Sequence, residues 1–123
     1  MSGKSKLWIL GVGAVLVTIA VIYAMNPLAR SDEVLRDWLL SRVPVGSEIE
    51  RLHQVASQED WEVWGSWKRG EYAGWKGIDG DTVVRVHLGG YSGPFWTEVS
   101  AYWAFDASGR LIDVETVRSV DAP

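Results

Sequence analysis

Cysteine is absent from all 123 residues, and that absence removes several function classes at once. No disulfide framework, thiolate metal site or lipid-modified cysteine can be built, so any small domain here must be held by its core alone. Histidine is nearly absent too. His53 and His87 are the only two, and neither has a second histidine at metal-ligand spacing. No serine lies in a G-x-S-x-G context. Gly11-Val12-Gly13 has no strand before it and is not a phosphate loop. Asp79-Gly80-Asp81 is not followed by the rest of a calcium loop and reads as a turn. No catalytic, metal or cofactor-binding residue is therefore assigned, no cofactor is expected, and the chain is not expected to be an enzyme. An enzyme would need a cleft gathering His87 with acidic residues. Positive charge is scarce as well. Three of the twelve basic residues (Lys4, Lys6, Arg30) precede Ser31 while all sixteen acids follow it, which leaves −7 on residues 31–123. Such a domain is a poor partner for nucleic acid or an anionic membrane surface.

What is present begins with an uncharged run, Leu7–Met25. As a helix it would reach roughly 28 Å, about one hydrocarbon thickness, with no polar stripe. The expected organisation is a short tail over 1–6, a transmembrane helix over 7–25, a linker over 26–30 and a small α+β domain over 31–123. A cleaved secretory signal is the main rival, although its apolar core usually runs about 7–15 residues. A buried core helix is the third option, which a domain of this size could hardly enclose. Lys4 and Lys6 favour an inside N-terminus and hence a single-pass protein of a bacterial inner membrane with its domain in the periplasm, but Arg30, Arg36 and Arg42 nearly balance them. Ala20 and Ala24 form a small-xxx-small pair through which two such helices could dimerise.

Within the domain, Ser31 is placed to cap a helix over Asp32–Arg42 whose apolar stripe is Val34, Leu35, Trp38 and Leu39. Pro44 ends it. Ser47-Glu48-Ile49-Glu50 reads as a capping box opening a second helix to about Gln58, with Ile49, Leu52, His53 and Ala56 as its stripe. The period then changes to two. Trp61, Val63, Gly65 and Trp67 share one face of a first strand, with Trp64 on the other. Lys68–Asp81 is a long connection. Val84, Val86 and Leu88 alternate against Val83, Arg85 and His87 in a second strand over Thr82–Leu88, and Gly89–Pro94 is a loop. A third strand carries Phe95, Thr97, Val99, Ala101, Trp103 and Phe105 on one face, and a fourth carries Ile112, Val114 and Thr116. Matching those faces with a four-residue loop, Asp106–Gly109, pairs Trp103 with Ile112, Ala101 with Val114 and Val99 with Thr116. A three-residue loop would set Trp103 opposite Asp113. The fold class expected is α+β: the N-terminal transmembrane helix, then two amphipathic helices packed on one face of a four-stranded antiparallel sheet in meander order.

Val45-Gly46-Ser47 leading into an amphipathic helix, with Phe105-Asp106-Ala107-Ser108-Gly109-Arg110-Leu111 as a final hairpin, resembles the small helix–helix–sheet domains of outer-membrane assembly lipoproteins of the SmpA/OmlA type. The β-lactamase inhibitor protein domains have a similar layout. The resemblance implies a non-catalytic domain acting by protein–protein contact at the cell envelope. It departs from the lipoproteins in having no cysteine to lipidate.

The aromatic content gives the functional lead. Seven of the eight tryptophans lie in residues 31–123. Alternation sends Trp61, Trp67 and Trp103 to the helix-covered face, joined by Trp38. It leaves Trp64, Arg85, His87, Trp96 and Tyr102 on the open face, with Trp75 and Tyr91 on nearby loops. Exposed aromatics around an arginine are the usual composition of a protein-binding hot spot. The same residues would equally serve as cross-strand pairs shielding a small sheet, and aromatic platforms also stack on sugars. The expectation is a surface for another envelope protein, with a carbohydrate (peptidoglycan)-binding module as the alternative.

Overall fold

The computed structural model describes residues 27–69, 71 and 78–120. Among them no helix is long and apolar enough to cross a membrane, which corrects the fold expected from Leu7–Met25. The longest has 11 residues, about 16 Å at 1.5 Å per residue against a hydrocarbon layer of about 30 Å. The run 7–25 itself, with Ala20 and Ala24, lies outside the described residues. What the structure shows is an α+β body of two helices and a four-stranded antiparallel sheet.

The first helix, α1 (Asp32–Arg42), starts where expected: the Ser31 hydroxyl accepts a hydrogen bond from the Val34 amide at 3.3 Å, and Asp32 and Glu33 occupy the positive first turn. Leu35 and Leu39, one turn apart, are fully buried, and Trp38 is half-buried. Val34 instead faces solvent, so the stripe is narrower than its spacing suggested. The second helix, α2 (Ile49–Gln58), has no capping box. Glu48 is its N-cap and its side chain makes no capping bond. The reason is tertiary: the Ser47 carbonyl accepts from the Leu111 amide at 2.8 Å, the Gly46 amide donates to the Leu111 carbonyl at 2.8 Å, and Glu48 bridges Arg110. That pairing follows a turn at Gly46 (φ 90°) and holds Glu48 extended. The buried stripe of α2 is Leu52, Val55 and Ala56, while His53 is exposed, which corrects its placement at the core edge. The helix ends with Asp60 at φ 58° and the Trp61 amide donating to the Ala56 carbonyl at 2.8 Å. This left-handed stop turns the Trp61 ring into the core.

The sheet runs in meander order through β1 (Glu62–Lys68), β2 (Thr82–Tyr91), β3 (Thr97–Phe105) and β4 (Leu111–Val120). Three one-residue bulges, at Trp64, Leu88 and Ile112, decide which residue faces where. Val63 pairs with Val86 but Gly65 pairs with Arg85, so the extra Trp64 reverses the faces of the rest of β1. Trp67, opposite Val83, therefore lies on the open face rather than in the core, and Val63 is exposed. In β2 the bulge at Leu88 lets the strand continue through Gly89 and Gly90 to Tyr91, residues expected to be loop. Phe95 precedes β3 and is exposed.

At the last hairpin the Asp106 amide donates to the Arg110 carbonyl at 2.8 Å, and Phe105 pairs with Leu111. This is the register of the three-residue loop. The bulge at Ile112 then restores the facing, so Trp103 pairs with Val114 and Ala101 with Thr116. Val114 and Thr116 do face the core side, as expected, but two residues out of the expected register, and Leu111 replaces Ile112, which is 44% exposed. The core between helices and sheet is Leu35, Leu39, Leu52, Val55, Val84, Val86, Val99, Trp103, Phe105, Leu111 and Val114 with their neighbours. Trp61 lies between Trp38 (5.9 Å, edge-on) and Trp103 (6.3 Å).

Candidate functional site

The helices cover one face of the sheet, and the other carries the candidate site. Cross-strand pairing sets Arg85 beside Tyr102 and His87 beside Ser100 on that face. The bulge presents Trp64 next to them. Its ring stacks on the His87 imidazole, within 3° of parallel and with centroids 4.4 Å apart. The Arg85 guanidinium sits 4.9 Å from the Trp64 ring centroid and 5.6 Å from that of Tyr102, close enough for cation–π attraction to both. Its Nε is buried without a hydrogen-bond partner among the described residues. The two rings thus hold the guanidinium in place on the face.

Carboxylates fix the edges of the cluster. Glu98 accepts from the Trp96 indole N–H at 2.7 Å through one oxygen and bonds His87 Nε2 at 2.6 Å through the other. These bonds, the one from Trp96 first, hold its carboxyl below the usual glutamate range. Glu62 accepts from the Trp64 indole N–H at 3.0 Å. Each tryptophan is therefore anchored by an acid two residues away on its own chain. Gly90 makes room for this on β2, because a Cβ there would lie 2.5 Å from the Trp96 ring. Trp64 and Trp96 remain 48% and 47% exposed.

Tyr102 belongs to the same face but is only 7% exposed, packed with Val83 and Ala104 beneath Ile78 and Val117. Tyr91 does not join the others. It packs against the core, and its hydroxyl meets Arg118 Nη1 at 3.0 Å, because the Leu88 bulge places it on the helix side. Trp75 lies outside the described residues. The candidate set read from the sequence left out Glu62, Glu98 and Trp67, although alternation already placed Glu62 on the face of Trp64. The first two were available from the two-residue spacing in Glu62-x-Trp64 and Trp96-x-Glu98, but Trp67 required the bulge.

No group of three or more metal-ligating side chains gathers among the described residues. The cluster offers flat aromatic area, one cation and anchored carboxylates, which suit stacking, apolar contact and hydrogen bonding. In comparisons with known protein families, curated proteins and solved structures, nothing matches the chain.

Proposed function

We propose that this domain is a non-catalytic binding module whose open sheet face, centred on Trp64, Arg85, His87 and Trp96, recognises another protein. The observation that carries the reading is that two large indoles stand half exposed while hydrogen bonds and stacking hold their orientation. An exposed ring that is already immobilised loses little conformational freedom on binding, and for that reason such residues dominate interfaces. His87 supports the non-catalytic part. Its ring is covered by Trp64 and its Nε2 is engaged by Glu98, an arrangement suited to support rather than proton transfer to a substrate. The likeness of layout to envelope domains that act by protein–protein contact belongs to the same proposal.

Photocrosslinking side chains placed at Trp96 and, separately, at the exposed α2 position Gln54 test it in living cells. Position 96 should capture one protein that position 54 does not. With that protein purified, Trp96→Ala and Arg85→Ala should each weaken binding at least tenfold, about 1.4 kcal/mol or more, with thermal unfolding shifted little for Trp96→Ala. Equal capture from both positions would dismiss the face as the site.

A further inference from the structure

A second surface stands apart from the aromatic face, at the outer edge of β4, where no further strand pairs among the described residues. Its first half is already paired or capped. Leu111 exchanges backbone hydrogen bonds with Gly46 and Ser47, and the Val114 amide donates to the Asp113 carboxylate at 2.8 Å. That last bond shows that Val114 points its backbone away from β3. In an antiparallel strand alternate residues point the same way, so Thr116 and Arg118 also turn their N–H and C=O groups outward. From Asp113 to Val120 the pairing with β3 runs without a break, so this half of the edge is regular. Of the guards that normally blunt such an edge, the bulge lies at Ile112, and the inward-turned charge is Arg118, whose guanidinium is occupied by Asp32, Tyr91 and the Leu28 and Arg30 carbonyls.

Beside this edge, between it and the first turns of α1, lies a groove of about 320 Å³. Asp32, Glu33, Asp113 and Glu115 line it, with Arg36 as the lone cation of the lining. Arg36 is already bound to Asp113 at 2.7 Å and Asp32 to Arg118 at 2.9 Å, so the acids in excess are Glu33 and Glu115. A second copy of the chain would bring the same acids to the same edge and meet like charge. We infer that the open half of β4 accepts an extended basic segment of another protein as a fifth, edge-added strand. Main-chain hydrogen bonds to Thr116 and Arg118 would supply the pairing, while Glu33 on the helix side of the sheet and Glu115 on the open side would take Lys or Arg side chains from the two faces of the added strand.

The experiment titrates the full chain, at low and at physiological salt, with the octapeptide Lys-Lys-Val-Thr-Lys-Lys-Val-Thr, which carries lysines on both faces when extended, and with its glutamate counterpart. Amide exchange and NMR shifts are followed residue by residue. The lysine peptide should slow exchange at Thr116 and Arg118 at least fivefold and shift β4, while the glutamate peptide does neither. Thr116→Pro removes one outward donor at an edge position that tolerates proline and should weaken binding at least tenfold. Glu115→Lys, which leaves the backbone intact, should weaken it severalfold even if the proline variant folds poorly. Shifts confined to Trp64 and Trp96, equal binding of both peptides, no binding, or self-association through β4 would each overturn the inference. None of these outcomes except the first bears on the aromatic face, so the two proposals stand or fall separately.

Discussion

Trp103 shows how a single side chain can be both the centre of the core and its weak point. Its ring is fully buried between Trp61 and the sheet, yet its indole N–H has no acceptor among the described residues. A buried unpaired donor costs about 1–3 kcal/mol. Trp103→Phe removes that donor along with some volume, so the two effects offset and stability should stay within about 1 kcal/mol of the parent. Trp103→Ala removes the packing alone and should cost about 3–5 kcal/mol. Urea unfolding of both variants checks this; equal losses would mean that the N–H is satisfied. Glu98 makes the second prediction at this scale. Its folded pKa is lowered by Trp96 and His87, so its bonds stabilise the fold fully above the ordinary glutamate value and are lost as pH falls through the folded one. Trp96 fluorescence should therefore change with a midpoint below the ordinary glutamate value, and the change should vanish in Glu98→Gln. A titration at or above the ordinary glutamate value would contradict the geometry.

At the scale of elements, Arg118 joins four pieces of chain. Its guanidinium donates to Asp32 at 2.9 Å, to the Leu28 carbonyl at 2.6 Å, to Tyr91 at 3.0 Å and to the Arg30 carbonyl. It thereby ties the 3₁₀ turn Pro27–Ala29 and the start of α1 to the ends of β2 and β4. Burial opposes its charge, but the bonds to Asp32 and Tyr91 outweigh that and keep its pKa raised. Arg118→Met keeps the stem and removes every donor; it should cost about 2 kcal/mol and speed amide exchange at Arg30 and Leu35 before the rest of α1. The two helices and the four strands in meander order were legible in the sequence because period and turn residues mark them. The bulges were not. One extra residue leaves composition and local alternation intact, so Trp67 was assigned to the core when Trp64 had already reversed its face. At the final hairpin the need for odd residues to face even ones was legible. It can be met by a four-residue loop or by a three-residue loop with a bulge. The Asp106 carboxylate, accepting from the Ser108 and Arg110 amides, selects the second by bonds that strand pairing rules do not see. The open face was legible only as far as alternation held: Trp64, Arg85, His87, Trp96 and Tyr102 share it, whereas Tyr91 was carried to the other side by the Leu88 bulge.

For the whole molecule, the question is where the cooperative unit begins. Its expected boundary was Ser31, set by the helix cap, but packing reaches further back. Leu28 is partly buried against the core, and a Cβ at Gly89 would meet its methyl at 3.3 Å. The Leu28 and Arg30 carbonyls are also acceptors for the half-buried Arg118. A chain beginning at Ser31 keeps both helices and all four strands but leaves Arg118 short of two acceptors and uncovers the apolar surface that Leu28 shields. Together these losses amount to about 1–2 kcal/mol, which for a domain of this size lowers the melting temperature by about 5–15 °C. A chain beginning at Pro27 should not show that drop. The comparison also separates stability from recognition. Leu28, Tyr91 and Arg118 lie on the helix side of the sheet, and Trp64 and His87 lie on the other. Below the melting range of the shorter chain, its Trp64–His87 stacking and Trp96–Glu98 bonding should therefore be unchanged, read from the NMR shifts of those side chains. Equal melting of the two chains would return the boundary to Ser31. Altered Trp64 or Trp96 signals would show instead that the two faces of the sheet are coupled.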